Sequence, residues 1–173
     1  MPADRPPSDR RLVEAARRLG RALNDRRWQM AAAESCTGGL VGHAITQVPR
    51  SSDHFLGAIV SYSDAVKEEI LGVPGELLVQ VGAVSAEVAE AMTTGTLDRF
   101  PAASLAVAVT GIAGPDGGSQ EKPVGLTYVA AAIRDGPAIV ERHIWPHDRD
   151  GNKRASALAA LDLATRVAAD RPA

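Results

Sequence analysis

The chain has 173 residues, a net charge of −2, 45% hydrophobic residues and 3% aromatic residues. This balance is typical of one soluble domain, and it disfavours nucleic-acid binding, which needs excess positive charge and rings for base stacking. No apolar run approaches the ~20 residues of a membrane span, residues 1–11 lack a signal peptide's apolar core, and the single Cys36 cannot form an internal disulfide, so we expect a cytoplasmic protein.

Hydrophobic spacing predicts helices alternating with strands early in the chain and consecutive strands later. Serines at the starts of two segments, Ser63 and Ser85, are suitable helix N-caps. The predicted elements in chain order are a disordered tail (1–7), a helix from Ser8 to Arg27, a strand (28–33), a short helix that ends at Pro49, a strand (55–62), a helix (64–71), a helix from Ser85 to Arg99, strands over 104–110, 124–133 and 138–145, and a helix over 152–169.

This order of elements predicts an α/β fold, because early alternation gives parallel strand pairs and consecutive strands give antiparallel ones. We expect a single-domain three-layer sandwich over residues 8–171, with a mixed sheet flanked by helices. The first helix is rich in arginine, which we interpret as a solvated face in preference to a binding patch. Its basic residues are Arg10, Arg11, Arg17, Arg18, Arg21, Arg26 and Arg27.

The segment 34–39 (E-S-C-T-G-G) lies where a buried strand gives way to a helix. Free N–H groups at a helix start favour an anion, so Ser35 there could be a nucleophile that faces an oxyanion or phosphate site. Alternatively, Ser35 or Thr37 caps the helix, which is the simpler interpretation of this segment alone. Cys36 is a stronger nucleophile in principle, but a lone small cysteine beside a strand is more often a buried hydrophobe. Glu34 is either an orienting carboxylate or a surface charge.

The segment 62–67 places Tyr62 just before the helix cap and Lys67 one turn into the helix. These positions normally pack together at a helix start, so we expect the phenol and the amine to touch. A partly desolvated lysine has a lowered pKa and can act as a general base, although its stem could instead cover the ring while its charge stays in water. If the base hypothesis holds, the Lys67 amine or the Tyr62 hydroxyl should lie about 2.6–3.2 Å from the Ser35 hydroxyl.

A glycine-dense loop over 110–125 (T-G-I-A-G-P-D-G-G-S-Q-E-K-P-V-G) follows the next strand. Such a loop lets the backbone approach a ligand closely, yet it matches neither the Walker pattern nor the G-x-G-x-x-G fingerprint. A plain flexible connection is the alternative, although unstructured loops of this length are usually functional or disordered. The four histidines lack paired ligand spacing, so we expect no metal site.

Taken together, these segments resemble the CinA C-terminal domain family. The similarity rests on A-A-A-E-S-C-T-G-G (31–39), S-Y-S-D-A-V-K-E-E-I-L-G-V (61–73), A-V-S (83–85), A-V-T-G-I-A-G-P-D-G-G (108–118) and K-P-V-G-L-T-Y-V (122–129), in an order that covers roughly residues 10–170. Family members include stand-alone nicotinamide-nucleotide amidases. The resemblance implies hydrolysis of the carboxamide of nicotinamide mononucleotide to nicotinic acid mononucleotide and ammonia, without a cofactor or metal.

The resemblance also implies the roles of individual residues. The family's serine, tyrosine and lysine correspond to Ser35, Tyr62 and Lys67 as catalytic residues. We expect a small pyridine nucleotide as partner, no nucleic acid or membrane, and assembly into a homo-oligomer. The alternative is a non-catalytic nucleotide-sensing or protein-interaction module linked to DNA uptake or damage responses. The expected substrate-binding residues are Glu34, Cys36, Thr37, Gly38, Gly39, Thr110, Gly111, Gly114 and Arg149.

Overall fold

A computed structural model describes residues 5–170 as five strands and seven helical segments. The elements are α1 (Asp9–Arg26), β1 (Met30–Glu34), α2 (Leu40–Thr46), a 3₁₀ turn (Ser51–Asp53), β2 (Phe55–Val60), α3 (Asp64–Leu71), α4 (Gly75–Val81), α5 (Ala86–Arg99), β3 (Leu105–Gly111), β4 (Leu126–Ile133), β5 (Ala138–Ile144) and α6 (Arg149–Asp170).

The five strands form one mixed sheet in the order β2-β1-β3-β4-β5. β1 runs parallel to both β2 and β3, whereas the pairs β3–β4 and β4–β5 are antiparallel. This arrangement confirms the predicted mixed sheet. It also gathers the carboxyl ends of β2, β1 and β3 at one edge, where the chain leaves each strand.

Helices cover both faces of the sheet. Ala32 of β1 packs with α1, α2 and α6 on one face, and its neighbour Ala33 packs with α3, α4 and α5 on the other. The three central strands, β1, β3 and β4, carry mainly alanine and valine, whose small side chains allow helices to pack closely on a sheet. The three-layer sandwich is therefore confirmed.

Most strand ends differ from the sequence predictions by one or two residues, and three other features differ as well. The predicted tail reached residue 7, but Pro7 is buried, while residues 1–4 and 171–173 lie outside the described part of the chain. Helix α4 was not predicted, because it is short and follows two helix breakers. Helix α6 begins at Arg149 and not at residue 152, because the Asp148 carboxylate accepts a hydrogen bond from the Gly151 N–H at 2.8 Å and so caps the first turn.

The serines predicted as N-caps have this role. The Ser63 hydroxyl accepts a hydrogen bond from the Val66 N–H, and the Ser85 hydroxyl accepts one from the Val88 N–H. Helix α2 differs, because its N-cap position is Gly39 and neither Ser35 nor Thr37 caps it. The capping interpretation of those two residues is wrong.

The start of α2 is instead bonded to Glu34, the last residue of β1. Its side chain is fully buried, and its two carboxylate oxygens accept hydrogen bonds from the N–H groups of Gly39 at 2.9 Å, Val41 at 3.1 Å and Gly42 at 2.8 Å. The chain can turn back in this way because Gly38 and Gly39 have φ angles of 62° and 94°, a region that favours glycine. Glu34 therefore joins the end of β1 to the start of α2, and the loop between them is held at both ends.

Replacing Glu34 by alanine is expected to destabilise the protein strongly. The change leaves three N–H groups without their acceptor, and hydrogen bonds to a charged group contribute about 1.5–3 kcal/mol each. We expect Glu34→Ala to lower the free energy of unfolding by about 3 kcal/mol or more, measured by urea denaturation. Glu14→Ala removes a carboxylate from a solvent-exposed ion pair with Arg10, and should cost less than about 1 kcal/mol. Equal stability of the two variants would contradict this role for Glu34.

Candidate active site

The carboxyl ends of β1, β2 and β3 place three loop starts side by side. The Ser35 N–H donates to the Val109 carbonyl at 3.0 Å, and the Ser61 N–H donates to the Glu34 carbonyl at 2.8 Å. These bonds extend the sheet by one residue and fix the position of Ser35 between its neighbours. A cavity of about 250 Å³ opens there. It is lined by Ser35, Cys36, Tyr62, Asp64, Lys67, Ala83, Val84, Thr110, Gly111, Ala113 and Arg149.

Ser35 and Lys67 are in direct contact within this cavity. The Lys67 amine lies 3.2 Å from the Ser35 hydroxyl oxygen and 2.9 Å from the Ser61 carbonyl oxygen. Both side chains are buried, and only 1% of the surface of Lys67 is exposed. The predicted distance is therefore confirmed for the lysine, and the alternative in which its charge reaches open water is wrong.

Burial lowers the pKa of Lys67 below its ordinary value, because desolvation disfavours the ammonium form. The Asp64 carboxylate, 3.8 Å from the amine, acts in the opposite direction. Among residues 5–170, this amine has three polar partners: the Ser35 hydroxyl, the Ser61 carbonyl and the exposed Asp64 carboxylate. The Lys67 amine therefore loses its proton more easily than that of an ordinary surface lysine. It also lies next to a hydroxyl that can give up a proton.

Tyr62 faces the same cavity from its outer rim. Its side chain is 62% exposed, and its hydroxyl accepts a hydrogen bond from the Arg149 guanidinium at 3.1 Å. Within the described residues this is the hydroxyl's one hydrogen bond, so Tyr62 is bonded neither to Lys67 nor to Ser35. Arg149 also donates to the Gly114 carbonyl at 2.6 Å, which links the first turn of α6 to the glycine-rich loop.

Backbone N–H groups beside Ser35 supply a second chemical feature. The N–H groups of Cys36 and Thr37 have no backbone or side-chain oxygen acceptor among residues 5–170. Those of Gly39, Val41 and Gly42 are already bonded to Glu34. The anion site predicted at the start of α2 is therefore occupied by the protein's own carboxylate, and the two N–H groups that remain lie in the turn that follows Ser35.

The structure brings most, but not all, of the predicted site residues together. Ser35, Cys36, Tyr62, Lys67, Thr110, Gly111 and Arg149 line one cavity. Glu34 does not line this cavity, because its carboxylate is buried against α2. The alternative prediction, that Glu34 is a surface charge, is wrong for the same reason. Thr37 is fully buried, and Gly38, Gly39 and Gly114 shape the surrounding loops without lining the cavity.

Two features of the glycine-rich loop position the cavity wall. Thr110 is buried and donates its hydroxyl hydrogen to the Ala83 carbonyl at 2.7 Å, so it holds the loop before α5 against β3. Gly111 packs so closely that a Cβ there would lie 3.1 Å from the Cys36 sulfur and 2.7 Å from the Leu126 carbonyl oxygen. The absence of a side chain at residue 111 is therefore what lets the two loops meet.

Sequence reasoning missed two residues on the first turns of α6. A Cβ at Gly38 would lie 3.7 Å from the Lys153 amine, which places this cation beside the turn that follows Ser35. Asn152 is buried, donates to the Ala113 carbonyl at 3.0 Å and accepts from the His147 N–H at 3.1 Å. The sequence signal that could have identified Lys153 is its spacing of four residues from Arg149, because residues four apart share one face of a helix.

Neither a metal cluster nor a membrane helix is found in the part of the chain that the structure describes. Within residues 5–170, no three His, Cys, Asp or Glu side chains lie close enough together to hold a metal ion. The helices in this range are also too short or too polar to cross a membrane.

The fold and this cavity define an α/β protein with a buried serine–lysine pair at the carboxyl edge of its sheet. The family model of the CinA C-terminal domain matches residues 13–168, and the chain belongs to this family. It is 43% identical to the nicotinamide-nucleotide amidohydrolase PncC of Enterobacter agglomerans, over 92% of this chain and 96% of that protein. It is 49% identical to the PncC of Pseudomonas putida, over 87% of this chain and 93% of that protein.

Solved structures agree with this assignment. The competence/damage inducible protein CihA from Agrobacterium tumefaciens superposes with a TM-score of 0.86 at 37% identity, over 95% of this chain and 98% of that one. Longer relatives also match: a CinA-like protein from Geobacter sulfurreducens is 47% identical over 149 residues, and the matched region spans 35% of its length.

The thiol of Cys36 is expected to be unreactive in the folded protein. Burial raises the pKa of Cys36 to about 12, and the thiolate is the reactive form. We expect less than about a tenth of the thiol to react with Ellman's reagent at pH 8 over minutes, whereas one thiol per chain should react once the protein is unfolded in guanidinium. Rapid reaction of the native protein would contradict this environment for Cys36.

Proposed function

We propose that this protein hydrolyses the carboxamide of nicotinamide mononucleotide, giving nicotinic acid mononucleotide and ammonia, with Ser35 as nucleophile and Lys67 as base. The observation that carries the proposal is the 3.2 Å contact between the buried Lys67 amine and the Ser35 hydroxyl. Two relatives of similar length whose names state this type of activity support the choice of substrate.

In the first step, the Ser35 oxygen attacks the carboxamide carbon, and its proton passes to the neutral Lys67 amine. Burial supports this role, because it lowers the lysine pKa and makes the neutral form accessible. The negative charge that develops on the carboxamide oxygen is stabilised by the N–H groups of Cys36 and Thr37, which follow Ser35 directly. Such N–H groups are effective because they are already oriented before the reaction.

In the second step, Lys67 returns the proton to the departing nitrogen, and the C–N bond breaks to release ammonia. A nicotinoyl ester of Ser35 remains. Water then attacks this ester, Lys67 accepts the proton of the water, and the Ser35 oxygen leaves and is reprotonated. The products are ammonia and the carboxylic acid, whose proton passes to ammonia at neutral pH, so atoms and protons balance without a cofactor.

The nucleotide's phosphate requires cations near the mouth of the cavity. Arg149 lies at the rim beside Tyr62, and Lys153 lies next to the turn at Gly38. Both residues come from the first two turns of α6, so one helix start supplies the phosphate contacts while the strand ends supply the chemistry. Phosphate binding by arginine and lysine at such a rim would orient the pyridine ring toward Ser35.

Replacing Ser35 by alanine is expected to abolish turnover and leave the fold intact. We expect the rate of ammonia release from nicotinamide mononucleotide to fall at least about 1,000-fold, because the nucleophile is lost. Lys67→Met should lower kcat about 100- to 10,000-fold with little change in KM, since the base acts in the transition state. Ammonia is measured together with nicotinic acid mononucleotide, and circular dichroism reports folding.

Cys36→Ala is the matched control, because it changes the neighbouring residue and should keep most of the activity. If folded Ser35→Ala protein deamidates at a near-normal rate, the serine mechanism is wrong. If wild-type protein binds nicotinamide mononucleotide but releases no ammonia, the chain is instead a non-catalytic nucleotide-sensing module.

The pH dependence of kcat is expected to respond to Asp64. Activity needs neutral Lys67, so kcat should rise with pH through the pKa of this amine. Asp64→Asn removes the carboxylate that raises this pKa, and the rising limb should therefore move to lower pH. Glu69→Gln removes an equal charge from an exposed position on the same helix and should leave the limb in place. A shift to higher pH in Asp64→Asn would contradict Lys67 as the base.

A further inference from the structure

A larger cavity lies at the opposite edge of the sheet. Its volume is about 750 Å³, and it is bordered by Trp28 and Gln29, which precede β1, by His54, which precedes β2, and by Ser104, which precedes β3. Because these three strands are parallel, the cavity opens at their amino ends, whereas Ser35 follows a carboxyl end. The five residues of β1 separate the two edges by roughly 16 Å, at about 3.3 Å per residue.

The charged groups around this cavity are mostly positive. Arg17 and Arg21 of α1 line it together with Arg27 and Arg50, against one carboxylate, Asp53. Asp53 is bonded to Arg50 at 2.8 Å. The side chains of Arg17, Arg21 and Arg27 form no hydrogen bond or ion pair with any of residues 5–170. Arg17 and Arg21 are also four residues apart on one helix face, an arrangement in which like charges repel.

A buried histidine provides an independent observation at the same place. His54 is only 3% exposed, lines the cavity, and has a buried Nδ1 atom without a hydrogen-bond partner among the described residues. Its ring packs over Gly20, where a Cβ would lie 2.8 Å from the ring. The Nδ1 atom itself has no accessible surface, so it lies behind the cavity wall, and the ring is a sensitive reporter of a ligand bound in front of it.

We propose that this amino-edge cavity is a second binding site, which takes a small phosphate-bearing ligand of up to nucleotide size. The unpaired guanidinium groups suit the oxygens of a phosphate, and the ring of His54 lies in the cavity wall beside them. The half-buried indole of Trp28 lies in the wall, and the Arg26 guanidinium lies over its ring, 5.0 Å from the ring centroid. This site is independent of the proposed amidase reaction, because it shares no residue with the cavity at Ser35.

The test uses the full chain and two probes, inorganic phosphate and adenosine 5′-monophosphate, followed by NMR of the histidine Cε1–H signals. The chain has four histidines, and variants of His43, His143 and His147 identify the His54 signal by elimination. We expect both probes to shift the His54 signal in a saturable way, and sodium chloride at equal ionic strength to leave it unchanged. Tighter binding of the nucleotide identifies a base as part of the ligand, and equal binding identifies a bare phosphate group.

Two arginine variants measure the contribution of the charge. Arg21→Gln and Arg27→Gln should each weaken phosphate binding at His54 about tenfold, the effect of one lost charged contact. Arg10→Gln removes an equal charge from α1 outside the cavity and should leave the affinity unchanged. Ser35→Ala and Arg149→Gln should also leave it unchanged, which separates this site from the proposed amidase site. No saturable shift of His54, or equal weakening by Arg10→Gln, would overturn the proposal.

Discussion

The buried carboxylate of Glu34 is the constraint on which the rest of this site depends. It ends β1 and accepts hydrogen bonds from three N–H groups at the start of α2, so the five residues between strand and helix (35–39) form a closed turn. Ser35 opens that turn and is held by the Val109 carbonyl on its other side. Moving either the helix or the strand would displace Ser35, because no flexible segment lies between them.

The same carboxylate decides which N–H groups remain for chemistry. A helix start usually attracts an external anion, but here the positive end of α2 already has an internal one. The N–H groups of Cys36 and Thr37 lie outside this bonding pattern and have no oxygen acceptor among residues 5–170. The charge of Glu34 thus separates a structural anion site from the turn where we propose that the oxyanion forms.

Parallel strands give the protein two chemically different edges. At the carboxyl edge, the burial of Lys67 favours its neutral form, and the nearby Asp64 carboxylate opposes this effect only in part. At the amino edge, four arginines line an open cavity. The first edge is suited to moving a proton and the second to holding an anion. Arg17, Arg21 and Arg27 are exposed, as the solvated-face interpretation of the sequence predicted, and the second site that we propose uses these three residues.

The sequence by itself determined the class of fold and nearly all element positions, because hydrophobic periodicity is a local property. The family resemblance and the shared carboxyl edge of the strands predicted that Lys67 or Tyr62 lies next to Ser35, and the tertiary structure decided that it is the lysine. Residues far apart in the chain decided the rest. Tyr62 pairs with Arg149 across 87 residues, and Glu34 turns inward, because only packing against α2 reveals which N–H groups need an acceptor. The amino-edge cavity likewise joins α1 to the starts of three strands. Such groupings depend on how the helices stack on the sheet, and no local pattern in the sequence encodes which distant residues that stacking brings together.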